Sequence, residues 1–188
     1  MKKILSFLLI LLPFSSLSAQ DVDLESLYTI KNGQIVVEKV IPFTISMNEA
    51  SAAVNSWFVT KLNDSNQTLK NSSDDYYVAK ILTPELAHHS MGQWYTMGEL
   101  TIDVRFKEDR MKISVSCGNI INKNTQGTNS RNYSPLDAAP VAEKHDAWKT
   151  NIVKKSAEET FKNLVMYMAY IVDQLNTAVQ SASVEDDW

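Results

Sequence analysis

The chain has 188 residues, with 22 acidic against 18 basic side chains and a net charge of −4. That balance repels phosphate backbones and anionic lipid, so neither nucleic acid nor an acidic membrane surface is an expected partner. The one cysteine, Cys117, excludes an internal disulfide, so folding must rest on an apolar core within a single domain and its appendages.

The N-terminus has the order of a secretory signal. Met1-Lys2-Lys3 is basic, Ile4 to Phe14 is an apolar run, and Ser15 to Ala19 is rich in small residues. Residues 1–19 are therefore predicted to be a signal peptide cut between Ala19 and Gln20. The apolar run of eleven residues is shorter than the roughly 20 that cross a bilayer, and no later stretch is long and apolar enough to span. Removal of Lys2 and Lys3 leaves 16 bases against 22 acids, a net charge of −6. Export without paired cysteines points to the periplasm or cell surface of a Gram-negative bacterium rather than to a secreted disulfide module.

Residues 20–33 read as a flexible polar lead-in ending at the turn signal Asn32-Gly33. Gln34 to Ile41 is rich in Val and Ile and predicts a strand, closed by Pro42. Ser46 and Glu49 form a capping box. Behind it Ala50, Ala53, Val54, Trp57, Phe58 and Leu62 recur at spacings of three and four, which predicts a helix over 47–62. Residues 67–70 suggest a short edge strand and 71–75 a turn. Tyr76 to Leu82 predicts a strand with Tyr77, Ala79 and Ile81 on one side.

Residues 84–92 read as a loop. From Gln93 to Phe106 the chain predicts a long strand, in which Leu100, Ile102, Val104 and Phe106 alternate with Thr101, Asp103 and Arg105. After a tight turn Met111, Ile113, Val115 and Cys117 alternate with Lys112, Ser114 and Ser116. Two such runs across a short turn make an antiparallel hairpin with one dry and one wet face. Residues 121–150 read as a polar loop or insert, with one helical turn starting at Ser134-Pro135. Residues 151–182 predict a long helix with the stripe Phe161, Leu164, Val165, Met168, Val172, Leu175 and Val179. Residues 183–188 are an acidic tail. The resulting fold class is α+β: an antiparallel meander sheet with one face covered by a short N-terminal helix and a long C-terminal helix.

Three features together resemble a known family. Ile35-Val36-Val37-Glu38-Lys39-Val40-Ile41 runs into a capped helix containing Trp57. Tyr76 to Ile81 follows, and then Gly98-Glu99-Leu100-Thr101-Ile102-Asp103-Val104-Arg105-Phe106-Lys107-Glu108-Asp109-Arg110-Met111-Lys112-Ile113. This is similar to the exported Bacteroidota family called domain of unknown function 4468. The resemblance covers about residues 34–120 and implies a TBP-like α+β domain there. It implies no activity, and it brings no functional residues. A TBP-like fold does not by itself mean DNA binding, and the wet face expected here, with Thr101, Asp103, Arg105, Lys112, Ser114 and Ser116, lacks the apolar wedges of minor-groove binders.

Candidate chemistry is sparse. His88, His89 and Met91 are ligand types that hold copper, although adjacent histidines on an extended chain point apart. Trp94, Tyr95 and Tyr76, with Tyr77, could line a groove for a peptide or glycan; the same residues also fill cores. His145-Asp146 has the types that orient a general base, but no nucleophile motif accompanies it, and Cys117 falls on the dry face as an inert thiol. The expectation is a module that binds an envelope protein, a peptide or a glycan, without catalysis and without a cofactor. The alternative is an envelope enzyme or metal-handling protein using the His88–His89 loop.

Overall fold

The computed structural model describes residues 23–61, 68–73, 75–89, 91–138 and 151–182. The expected signal peptide, His145-Asp146 and the acidic tail lie outside them. Among these residues eight strands form one open antiparallel sheet: β1 (Thr29–Lys31), β2 (Gln34–Pro42), β3 (Thr68–Ser73), β4 (Tyr76–Leu82), β5 (Ala87–His89), β6 (Trp94–Lys107), β7 (Arg110–Asn124) and β8 (Ser130–Tyr133). The order is β1-β2-β7-β6-β4-β3, with β5 added beside the start of β6 and β8 beside the end of β7. Two helices, α1 (Met47–Lys61) and α3 (Asn151–Ala182), flank the single turn α2 (Pro135–Ala138).

The period-2 pattern of β6 and β7 decides which face is dry. Leu100, Ile102 and Val104 pair with Cys117, Val115 and Ile113, and all six are buried, none more than 1% exposed. Thr101, Asp103 and Arg105 pair with Ser116, Ser114 and Lys112 on the other side. One extra residue, Gly118, lies between the pairs Leu100–Cys117 and Glu99–Asn119, so β7 carries a bulge there. Its effect is to keep Ile120 buried beyond the break.

Both helices cover the dry face. The capping box starts α1: the Ser46 backbone N–H donates to Glu49 Oε2 at 2.7 Å and the Glu49 N–H to Ser46 Oγ at 3.3 Å. Ala50, Val54 and Phe58 are buried, and the Phe58 ring meets Tyr77 of β4, which in turn stands edge-on to Phe106 of β6. The Tyr77 hydroxyl is satisfied inside the core by Ser51 of α1, 3.0 Å away. Every residue of the expected α3 stripe is buried, joined by Ile171. A buried hydroxyl pair, Thr96 of β6 and Thr160 of α3 at 2.8 Å, ties helix to sheet without leaving an orphan polar atom.

The structure departs from the sequence reading in four places. The lead-in over 20–33 is in part sheet: Asn32 and Gly33, at φ of 51° and 76°, make the two-residue turn that folds β1 back on β2. The edge strand expected over 67–70 runs on to Ser73, so residues 71–73 are strand rather than turn. The loop expected over 84–92 contains β5, whose partner is β6. The polar insert expected from residue 121 is also sheet at first, because β7 continues to Asn124 and β8 pairs back on it. Each of these added pieces is short or polar and is held by backbone pairing to a partner strand, which leaves no hydrophobic period to read. The helical turn after Ser134 is present as α2, with Ser134 Oγ accepting from the Leu136 N–H at 3.2 Å.

Candidate functional site

The sheet face opposite the helices has no helix over it among the described residues, so side chains there are where a ligand can reach the fold. Strand alternation sorts the expected site residues between the two faces. Tyr95 shares the uncovered face with Thr101 and Arg105, whereas Trp94 shares the helix-side face with buried Thr96. His88 pairs across from Tyr95 and His89 across from Trp94. The His88 and Tyr95 rings lie 6.2 Å apart by centroid, and His88 Nε2 sits 2.8 Å from Glu85 Oε2. His89 stacks on Trp94 at 6.2 Å and 15°, and its Nε2 is 2.9 Å from Asn122 Oδ1. Met91 lies in the turn between β5 and β6, 98% exposed.

The structure therefore makes two pairs, His88–Tyr95 and His89–Trp94, on opposite faces of one hairpin. It does not converge His88, His89 and Met91 on one point. Among the described residues no group of three or more His, Cys, Asp or Glu side chains is placed to hold a metal ion. Cys117 is buried, and desolvation pushes its thiol up to about 12, so the proton stays on sulfur at neutral pH.

Tyr76 stands at the other end of the sheet. It pairs with Arg105, ten positions along β6 from Tyr95, about 33 Å at the usual rise of a strand. There it lines an open cleft of about 520 Å³. Strand order builds this cleft from four strands. Tyr76 of β4, Arg105 of β6, Lys112 of β7 and Val40 of β2 are successive register partners, so they form one row across the uncovered face. The next row places Lys107 opposite Arg110 at the β6–β7 turn. Asp75 closes one side and accepts the Phe106 backbone N–H on its carbonyl at 2.8 Å.

The cations of the cleft are held with unequal strength. Arg105 donates Nε and Nη2 to the two carboxylate oxygens of Asp103, at 2.9 and 3.0 Å. Lys112 approaches Glu38 at 3.1 Å, but Glu38 also serves Lys31. Arg110 stands 3.6 Å from its neighbour Asp109, beyond a good hydrogen bond. Lys107 has no ion-pair partner among the described residues. Sequence reasoning placed Arg105 and Lys112 on the wet face and missed this grouping. The signal was present: bases at 105 and 107, and again at 110 and 112, fall on one face of a hairpin folded between them.

No protein-family model matches the chain, and no curated protein sequence does. Solved structures do. A TBP-like protein from Parabacteroides distasonis superposes with a TM-score of 0.60 at 12% identity, over 80% of this chain and 96% of that one. A DUF4468 family protein from Bacteroides ovatus gives a TM-score of 0.60 at 12% identity, over 81% and 90%. The TBP-like fold that the sequence resemblance implied is thus the fold of this chain, and its structural neighbours include a protein of the domain of unknown function 4468 family.

Proposed function

We propose that this chain is an exported, non-catalytic binding module of the Gram-negative cell envelope, a member of the domain of unknown function 4468 family that presents its uncovered sheet face to a protein, a peptide or a glycan. One observation carries the reading. Among the described residues the helices are all on one side, and the opposite face offers aromatic and polar side chains at both ends, His88 and Tyr95 at one and the Tyr76 cleft at the other. A half-open sheet presenting aromatic and charged groups is suited to holding a ligand by contact area and hydrogen bonds. Export is supported by the signal-like order of residues 1–19, and none of the helices described is long and apolar enough to cross a membrane.

The test is a binding array. Fluorescently labelled chain starting at Gln20 is applied to arrayed envelope peptides and glycans beside Tyr95→Ala and Tyr76→Ala, after circular dichroism has established that both variants fold. At least one specific signal should fall about tenfold or more in a variant, the loss that removal of one anchoring aromatic brings. If every retained signal were the same for all three proteins, the uncovered face would not be the binding face.

A further inference from the structure

The Tyr76 cleft holds an arrangement that costs the sheet stability. Arg105 lies directly across from Lys112, and Lys107 directly across from Arg110, so two like-charged pairs occupy successive cross-strand positions. Like charges directly opposite are destabilising in a sheet, and here they are stacked two deep in a chain whose overall charge is negative. The acids nearby offset them unequally: Asp103 holds Arg105 through both oxygens, and Asp75 lines the same cleft. Glu38 is shared between Lys31 and Lys112, the Arg110–Asp109 approach is long at 3.6 Å, and Lys107 is unpaired among the described residues. A local rule broken and only partly compensated, with Lys107 left over, is expected at functional or strained sites.

The shape of the cleft narrows the ligand. Its volume, about 520 Å³, falls in the range of small-molecule sites. The row Tyr76, Arg105, Lys112, Val40 alternates an aromatic ring, two cations and an aliphatic side chain across four strands. Tyr76, beside the Arg105 side chain, gives an aromatic surface for a flat body, while the planar Arg110 guanidinium and the Lys107 ammonium present donors suited to a carboxylate. We infer that this cleft binds a small amphiphilic carboxylate, a flat apolar body bearing one negative charge, with the body against Tyr76 and the adjacent Arg105 and the carboxylate on Lys107 and Arg110. The inference rests on reading the uncovered face as a binding face, but it concerns this end alone.

Amide chemical-shift titrations with three probes test it: 2-naphthoate, its neutral isostere 2-naphthamide, and acetate. Naphthoate should give saturable shifts grouped on Tyr76, Arg105 and Arg110, weakened at least about tenfold in Lys107→Gln/Arg110→Gln and reduced by added salt. Both substitutions are at exposed positions, and an unchanged amide spectrum elsewhere establishes that the variant folds. Naphthamide binding as well as naphthoate would overturn the proposal by reducing the cleft to an apolar groove. Acetate producing the same shifts would overturn it by showing an adventitious ion only, and so would naphthoate shifts that survive in the double variant. None of these results depends on Tyr95, so failure here leaves the array comparison of Tyr95→Ala to judge the binding-module reading separately.

Discussion

At Gly98, β6 passes close beneath Leu164 of α3. A Cβ added there would stand 2.9 Å from Leu164 Cδ1, 3.3 Å from Thr83 Cγ2 and 3.4 Å from Cys117 Sγ. Leu164 is fully buried, so its displacement would press on close-packed neighbours. The Thr83 hydroxyl meanwhile accepts the Gly98 N–H at 2.8 Å, so neither neighbour can yield without losing a contact. Gly98→Ala is expected to cost about 1–3 kcal/mol, as overpacking of a filled core does, read as a lower urea midpoint at unchanged slope. The neighbouring Cys117 gives a second test on the same spot. With its thiol pushed up to about 12 by burial, it should resist a thiol reagent at mildly alkaline pH in the native protein and react at once in strong denaturant. In Gly98→Ala it should react faster than in wild type if opening of the native state limits the reaction.

Between elements, Glu38 holds three strands together, accepting from Lys31 of β1 and Lys112 of β7 while itself on β2. Hydrogen bonding to Lys31, and then to Lys112, holds its carboxyl below the ordinary 4.5. A carboxylate whose folded pKa is depressed adds stability above its unfolded pKa, and that stability is lost as pH falls through the folded value. Wild type should therefore lose stability as pH drops below about 4.5. Glu38→Gln should start lower and show a flatter decline over that window. The difference is small, because exposed ion pairs are screened by solvent, and thermal midpoints measured across acid pH at low salt are the way to resolve it. The same triad shows what could be read from sequence and what could not. The hairpin of β6 and β7 was legible because Leu100 to Phe106 and Met111 to Cys117 repeat with period 2 for long enough to fix a register. The placement of β2 beside β7 was not, because nothing within Gln34–Pro42 names a partner some seventy residues away. The cleft inherits that blindness: Val40, Tyr76 and Arg105 become neighbours only through strand order, whereas His88 and His89 caught attention by being adjacent in sequence, the one spacing that sends them to opposite faces of a strand.

For the molecule as a whole, an open sheet with one dry face is stable only while something covers that face. Here α3 supplies most of the cover. Phe161, Leu164, Val165, Met168, Ile171, Val172, Leu175 and Val179 are each 3% exposed or less. They lie against β2, β5, β6 and β7 as well as α1. At about 1.5–3 kcal/mol for each large apolar side chain buried, the loss of these eight would match or exceed the roughly 5–15 kcal/mol that holds a whole domain together. The sheet residues they cover would be wetted at the same time. Ending the chain after residue 150 should therefore abolish the fold rather than trim it, although the β6–β7 hairpin and the capped α1 remain in the sequence. The expected signs are collapsed amide dispersion, dye binding to exposed apolar surface, and no cooperative thermal transition. Dispersed amides with Leu100 and Val115 still protected from exchange would show that the sheet stands without its roof, and the packing that positions both ends of the uncovered face would then have to come from the strands alone.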